Sequence, residues 1–280
     1  MARNKNNNYG GWYEIYTILK ELCLTSFSWN GLPSNLNQRF MELSLFDNGQ
    51  VVFFKDDVMN EFLCLKAIRV GMIDVYGEPI KINAFASNGY FKRLTNKKDG
   101  VIIFNNYVRN TPHIRLMDYA KRIYTLERTI DINIHAQKTP IILKTSKKLE
   151  FTIKNLYKQY DDFEPVIVTD DGMELSDSIK VIKTDSPYVA DKLEEQKRKL
   201  WNEALSYIGI DNNSSEKNER LTKDEVMVSN GLAVANRNAK LQARQDAVKA
   251  INEMFALDIS VDVNNLSILD VVGGDENEQI

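Results

Sequence analysis

The sequence predicts an α+β fold. Two long helices bracket a small β-α-β-β insert, beside a mixed α/β region that contains a small β-barrel or sheet. Three observations predict it. Glycine and proline number only 13 and 6 in 280 residues, about 7% against a usual ~12%, which favours long helices over tight turns. Apolar residues keep a helical period through residues 116–134 and again through 189–208. Between residues 51 and 104, short apolar runs alternate with turn signals such as Asp47-Asn48-Gly49 and Asp99-Gly100.

Taken in order, Ala2 to Asn8 is a polar, basic arm. Trp12, Ile15, Tyr16, Leu19, Leu22 and Cys23 recur at helical spacing, and Gly31 and Pro33 break the run. Ser34 is positioned to cap a second helix carrying Leu36, Phe40 and Leu43. Val51-Val52-Phe53-Phe54, Val75-Tyr76, Ile80-Lys81-Ile82 and Val101-Ile102-Ile103-Phe104 read as short strands, while Phe62 to Val70 fits either helix or strand. Thr111-Pro112 opens the first long helix, with the stripe Leu116, Tyr119, Ala120, Ile123, Leu126, Ile130 and Ile134. Its ~23 residues span about 35 Å, and Lys138-Thr139-Pro140 stops it.

The insert follows. Pro140-Ile141-Ile142-Leu143, Pro165-Val166-Ile167-Val168 and Ile179-Lys180-Val181-Ile182 are strands, and Thr152 to Tyr160 is a helix. Pro187 starts the second long helix, whose stripe is Val189, Leu193, Leu200, Ala204 and Ile208 and whose stop is Gly209. A polar loop from Asp211 to Gly231 leads to an alanine-rich third helix, Ala233 to Ala256, and an acidic tail. The segments are thus 1–9, 10–112, 113–137, 138–186, 187–209, 210–232 and 233–280.

Composition narrows the function. Lysine plus arginine give 36 and aspartate plus glutamate 39, a net charge of −3, which argues against a protein that clamps nucleic acid over its whole surface. No apolar run reaches the ~18 residues that span a bilayer, and the first residues do not resemble a signal peptide. Two cysteines, Cys23 and Cys64, build no disulfide framework and point to a reducing compartment. With His113 and His135 they give no zinc spacing, and no nucleotide-binding or hydrolase motif is present, so no cofactor or metal is expected. Asp56/Asp57, Asp161/Asp162 and Asp170/Asp171 read as turn residues; the rival reading is a Mg²⁺-dependent nuclease. Cys23 reads as core, and His113 as a helix-start residue rather than a base. Lys183, Lys192, Lys199, Lys217, Arg220 and Lys223 read as solvated, or as facing one polyanion.

His135-Ala136-Gln137-Lys138-Thr139-Pro140-Ile141-Ile142-Leu143 resembles the helix-to-strand junction of the portal proteins of phi29-like short-tailed bacteriophages, also called upper collar or head–tail connector proteins. The similarity continues through Leu156 to Tyr160 and Pro165 to Val168, and is strongest from Ser176 to Glu203. Glu216 to Arg220, Thr222 to Val226, Gly31-Leu32-Pro33, Phe54-Lys55-Asp56 and Gly100 to Asn106 extend it.

The resemblance implies a ring of twelve copies around a double-stranded DNA channel at one capsid vertex. The ring is assembled in the host cytoplasm and serves genome packaging, retention and ejection. It implies a stem of the two long helices, a clip made by the insert, and a wing. It implies channel lysines at Lys183, Lys192 and Lys217, the last beside a tunnel loop; Arg220 and Lys223, on or beside the same polar loop, are expected to face the channel with it. At the family's second loop lysine this chain has Asn218. It implies capsid protein, lower collar or tail protein and a packaging ATPase as partners. Packaging RNA is implied through a basic arm that is here reduced to Arg3 and Lys5. An RNA-binding adaptor acting through that arm alone is the further alternative. No membrane partner and no enzymatic activity are expected.

Overall fold

The structure, a computed structural model, describes residues 10–137, 141–143, 179–181, 187–210 and 223–264. The elements in chain order are α1 (Gly10–Leu24), β1 (Phe27–Asn30), α2 (Gln38–Asn48), β2 (Gln50–Lys55), β3 (Phe62–Ile73), β4 (Pro79–Phe85), β5 (Phe91–Thr95), β6 (Gly100–Phe104), α3 (His113–Gln137), β7 (Ile141–Leu143), β8 (Ile179–Val181), α4 (Ala190–Ile208), α5 (Lys223–Phe255) and β9 (Ser260–Val263). The mixed α+β class holds, with every sheet antiparallel. The chain divides into two compact units, residues 1–124 with 197–280, and residues 125–196.

The first unit is built on a five-stranded sheet in the order β5-β4-β3-β2-β6. The run Val51-Val52-Phe53-Phe54 is buried on both faces of β2. Side chains alternate across a strand, so Val51 and Phe53 enter one core and Val52 and Phe54 another. The first core joins β2 and β6 to Phe27 and Trp29 of β1, Met41 and Leu45 of α2, and Ala247, Val248 and Ile251 of α5. The second is made by the sheet itself, from Ala67, Ile82, Ala84, Leu94 and Ile102. Leu94 on one edge strand and Ile102 on the other share that core, so the sheet curls on itself as a partly closed barrel. Each fully buried phenylalanine contributes roughly 1.5–3 kcal/mol. Phe53, Phe62 and Phe255 form an aromatic triangle with centroids 5.5–5.6 Å apart.

Local chemistry sets the boundaries. The helix-capping residue of α2 is Asn37, not Ser34: its Oδ1 accepts from the Phe40 amide at 2.9 Å. Asn35 instead donates to the Phe62 carbonyl at 2.6 Å, which keeps residues 34–36 outside the helix. Gly49 ends α2 at φ 76° and donates to the Leu45 carbonyl. Phe62 to Val70, ambiguous by pattern, is strand. Val75 and Tyr76 are not a strand but the exposed tip of the β3–β4 hairpin, because the Asp74 carboxylate accepts from the Tyr76 and Glu78 amides and closes a turn. The sequence reading also missed β1, β5 and β9. β1 and β9 pair with each other across more than 200 residues, which no local pattern reveals.

The third long helix starts at Lys223, ten residues before the expected Ala233. Ser229, Asn230 and Gly231 looked like loop, but a helix of 33 residues absorbs such weak formers when its other end is packed. Lys223 therefore lies on a helix, not in a loop. In the core, Arg244 of α5 makes a bidentate pair with Glu42 of α2 at 2.7 and 3.0 Å. Trp29 Nε1 donates to the same carboxylate at 2.9 Å. The guanidinium also reaches the Asn105 carbonyl and Oδ1, and stacks 4.3 Å from the Phe27 ring centroid.

The second unit holds the far half of α3, the β7–β8 ribbon and the start of α4. Asn133, buried on α3, donates to the Pro187 carbonyl and accepts from the Val189 amide, both at 3.0 Å. That reciprocal pair ties the lead-in of α4 to α3. The insert's helix Thr152–Tyr160 and its middle strand Pro165–Val168 lie outside the described residues, as do the arm, residues 211–222 and residues 265–280.

Candidate functional site

The long helices carry the expected site. The upper α3 stripe, Leu116, Tyr119, Ala120 and Ile123, is buried in the first unit. Farther along, in the second unit, Ile132 is 62% and Ile134 49% exposed. On α4, Leu200, Ala204, Leu205 and Ile208 are buried, and Lys192 and Lys199 are exposed. Of the expected channel residues, the structure places the side chain of Lys192 alone. Lys223 is the first residue of α5. Lys183, Lys217, Arg220, Arg3 and Lys5 lie outside the described residues, so the structure brings none of these together.

It does show how the end of α4 is fixed. The last carbonyls of a helix lack intrahelical partners, and here each of the last four finds one. Gly209 and Ile210 amides donate to the Leu205 carbonyl at 2.9 and 3.0 Å. Asn236 of α5 donates to the Ser206 carbonyl at 3.0 Å. The Lys240 ammonium of α5 donates to the Tyr207 and Ile208 carbonyls at 2.7 and 2.9 Å, and sits 5.0 Å from the Tyr207 ring centroid. Burial, reinforced by the Arg244 charge and opposed by Cys23, lowers the Lys240 pKa to about 8. Gly209 makes the stop possible: its φ is +103°, and a Cβ there would lie 2.7 Å from the Arg237 Cβ.

Sequence reading missed Lys240, Asn236, Arg244, Glu42 and Asn133. A signal was present for two of them. Lys240 and Arg244 fall in phase with the buried stripe Ala233, Ala243, Ala247, Val248 and Ile251, so a cation there had to be buried with a partner. Glu42 and Asn133 carried no comparable mark.

The aspartate pair at 56/57 resolves into structure. Asp56 is buried and accepts from the Val58 and Met59 amides and from the Tyr90 hydroxyl. The Tyr90 hydrogen bond, then the Met59 and Val58 amides and Lys92, hold its carboxyl down to about 2. Asp57 is exposed and pairs with Lys92 at 2.9 Å. Asp56 thus closes the β2–β3 turn with its oxygens already engaged. The other two pairs lie outside the described residues. Among the described residues no cluster of metal-ligating side chains forms, and no helix is long and apolar enough to cross a membrane. Tyr16 and His113 meet side chain to side chain at 2.5 Å, which locks α1 to the first turn of α3; burial, with the Asp47 charge, pushes Tyr16 up to about 12. Cys23 is largely buried on α1, where it faces Lys240 and Arg244 of α5, and burial pushes its thiol pKa up.

A curled antiparallel sheet backed by helices, with a long helix that leaves Ile132 and Ile134 exposed, is a mixed α+β fold with no cluster of metal-ligating side chains among the described residues. The Phage Connector (GP10) family profile matches residues 1–267, and the chain belongs to that family. It is a phage portal, or head–tail connector, protein: a structural component of the virion at the capsid vertex, not an enzyme. The nuclease reading is thereby set aside. Among solved structures, the chain is similar to one from the portal and tail of native bacteriophage P68, at 15% identity over 97% of this chain and 95% of that one, TM-score 0.47. It is similar to an HK97-family phage portal protein from Corynebacterium diphtheriae, at 13% identity over 96% of each chain, TM-score 0.43. A chain from the neck of a native gene transfer agent particle aligns at 10% identity over 92% of this chain and 82% of that one, TM-score 0.43. The family assignment rests on the 1–267 match and not on these likenesses.

Proposed function

We propose that twelve copies of this chain close into a ring around a channel through which double-stranded DNA enters and leaves the capsid. In this reading α3 and α4 form the stem and residues 138–186 the clip at the narrow outer end. Residues 10–112 and 233–280 form the wing. Lys183 and Lys192 contribute rings of charge to the channel. Lys217, Arg220 and Lys223 act at and beside the 210–232 segment, which hinders backsliding of DNA. Capsid protein, a lower collar or tail protein and a packaging ATPase dock on the ring, and packaging RNA contacts Arg3 and Lys5. One lysine per subunit becomes a focused collar of potential in a closed ring, while a net charge of −3 per chain keeps the duplex from being gripped.

The observation that carries the reading, beside family membership, is the exposure of Ile132 and Ile134 on α3 and of Tyr188 ahead of α4. Large apolar side chains on a long helix call for a neighbour to cover them. Native mass measurement with end-on electron microscopy tests it: twelve-membered rings with a bore wider than a duplex are expected. A chain that stays solitary at high concentration, or a bore narrower than a duplex, overturns it. Substituting Lys192→Ala should reduce the salt dependence of DNA passage through the ring; an unchanged dependence removes Lys192 from the channel.

A further inference from the structure

Among the described residues two surfaces of the first unit are left unpartnered, and they match each other. The first is the outer face of β3, β4 and β5. The same face is covered at β2 and β6, where Val51, Phe53, Val101 and Ile103 meet α2 and α5, but it runs out from under the helices. Register places its residues in three rows: Lys66, Phe85 and Phe91; Ile68, Asn83 and Arg93; Val70, Lys81 and Thr95. Each row carries one cation, and none of the nine positions carries a carboxylate. Lys66, Lys81 and Arg93 make no ion pair among the described residues. Beside them Ile68 is 53% and Phe91 56% exposed. The nearby Asp99 is engaged, accepting from the Thr95 amide at 2.7 Å.

The second surface is the outer arc of α1. At 100° per residue, Tyr13, Thr17, Glu21, Glu14 and Ile18 fall within about 140° of the helix circumference, and all five are exposed. Tyr13 is 57% and Ile18 46% exposed. Glu14 and Glu21 make no ion pair among the described residues. The arc holds no cation; Lys20, at its border, is bound to Asp47 at 3.2 Å.

Both surfaces are open in the same chain, so neither covers the other within one molecule. We propose that the outer β3–β4–β5 face of one copy docks on the outer arc of α1 of the next copy, pairing Lys66, Lys81 and Arg93 with Glu14 and Glu21 around Ile68, Phe91, Ile18 and Tyr13. The dimensions agree. Glu14 and Glu21 are about 10 Å apart along the helix. Arg93 and Lys81 are about 8 Å apart on the sheet, and Lys66 and Lys81 about 14 Å. Because the two patches differ, the contact is heterologous, and a heterologous contact repeated head to tail either closes a ring or runs on as a filament. The inference rests on the ring reading and names the surfaces that make the ring.

Charge reversal tests it on the full-length protein by mass photometry at fixed concentration. One variant, Lys81→Glu with Arg93→Glu, reverses the sheet face. The other, Glu14→Lys with Glu21→Lys, reverses the helix arc. All substituted positions are exposed, so each variant should keep the wild-type far-ultraviolet dichroism and melting profile. Each alone should lose the ring species. An equimolar mixture should regain it, as rings alternating the two variants, since each reversed patch then meets its complement. Wild-type protein that forms no ring overturns the ring reading and this interface with it. Wild-type rings together with rings from either variant alone overturn the interface and leave the ring reading standing, whatever else the face then binds. Folded variants that fail to assemble on mixing overturn it as well.

Discussion

Replacing Lys240 by methionine separates the two roles of a buried cation. The ammonium donates to the Tyr207 and Ile208 carbonyls at 2.7 and 2.9 Å, and methionine offers neither bond. Leaving two buried carbonyls unpaired costs roughly 1–3 kcal/mol each. Against this, the substitution removes a desolvated charge. A pKa lowered from 10.5 to about 8 corresponds to about 3 kcal/mol at 1.36 kcal/mol per pH unit. At pH 7 the terms nearly offset, and Lys240→Met should destabilise by only about 1 kcal/mol, within a range of roughly −1 to 3. Raising the pH changes the balance in one direction. Between pH 8 and 10.5 the unfolded chain still holds the lysine proton and the folded chain has released it, so wild-type stability rises with pH. The neutral amine keeps its donors while the desolvation cost disappears. Urea unfolding of both proteins at equal concentration should therefore show the gap widening by up to about 3 kcal/mol from pH 8 to 10.5. The groups facing Lys240, namely Cys23 on α1, Arg244 on α5 and Tyr207 on α4, are present in both proteins. A gap that stays flat or narrows across that window refutes the assignment of the lowered pKa to burial beneath the end of α4.

Three other outcomes are expected. Glu42→Ala leaves Arg244 buried without its carboxylate and should cost about 3–5 kcal/mol, whereas Glu42→Leu with Arg244→Met should cost much less; urea midpoints of both variants check this. Gly209→Ala places a methyl group 2.7 Å from the Arg237 Cβ at a φ of +103°, and should destabilise by more than ~1 kcal/mol with faster amide exchange at Ile208 to Ile210. Asp56→Asn should flatten the acid limb: a carboxyl held at about 2 rather than 3.8 stabilises the fold above pH 4 and loses that contribution as pH falls toward 2. A pH titration of wild-type and variant melting temperatures that runs parallel from pH 4 to 2 speaks against it.

What could be read in the sequence was whatever depends on neighbours in sequence. The α3 bounds, 113–137, follow from a proline, a seven-residue stripe and a second proline. Gly209 marks the end of α4 because one residue type fits that backbone. The runs at 51–54 and 101–104 announce strands because short β-branched and aromatic runs bounded by Asn48-Gly49 and Asp99-Gly100 fit a strand buried on both faces. Long-range pairing was silent. β1 is only four residues long and finds its partner at 260–263. The Glu42–Arg244 bond spans 202 positions; the phase of Arg244 on its helix marks it as buried, but nothing in the sequence names Glu42 as its partner. For α5 the error was one of weighting: Ser229-Asn230-Gly231 discouraged a helix locally, and packing of the following 24 residues overrode it. The expected channel residues were legible through family resemblance, not through physics, because a lysine facing a lumen has the same local pattern as one facing bulk water.

Charge is used in this chain in two ways, and each has a consequence for assembly. Arg244 and Lys240 are buried and each engages several partners, which fixes α5 against α2 and against the end of α4. Desolvated, geometrically satisfied bonds of this kind respond little to salt. Among the described residues the cations at Lys66, Lys81 and Arg93 make no ion pair and are exposed or partly buried, so any contact they make is screened within about 10 Å at 0.1 M salt. A subunit built this way should stay folded while its association varies with ionic strength. Raising salt on wild-type rings should then lower the ring fraction at concentrations that leave the melting of isolated subunits unchanged. If subunit melting and ring loss instead coincide at every salt concentration, the buried and surface charges are not separable, and the division of labour argued from Arg244 and Lys81 is wrong.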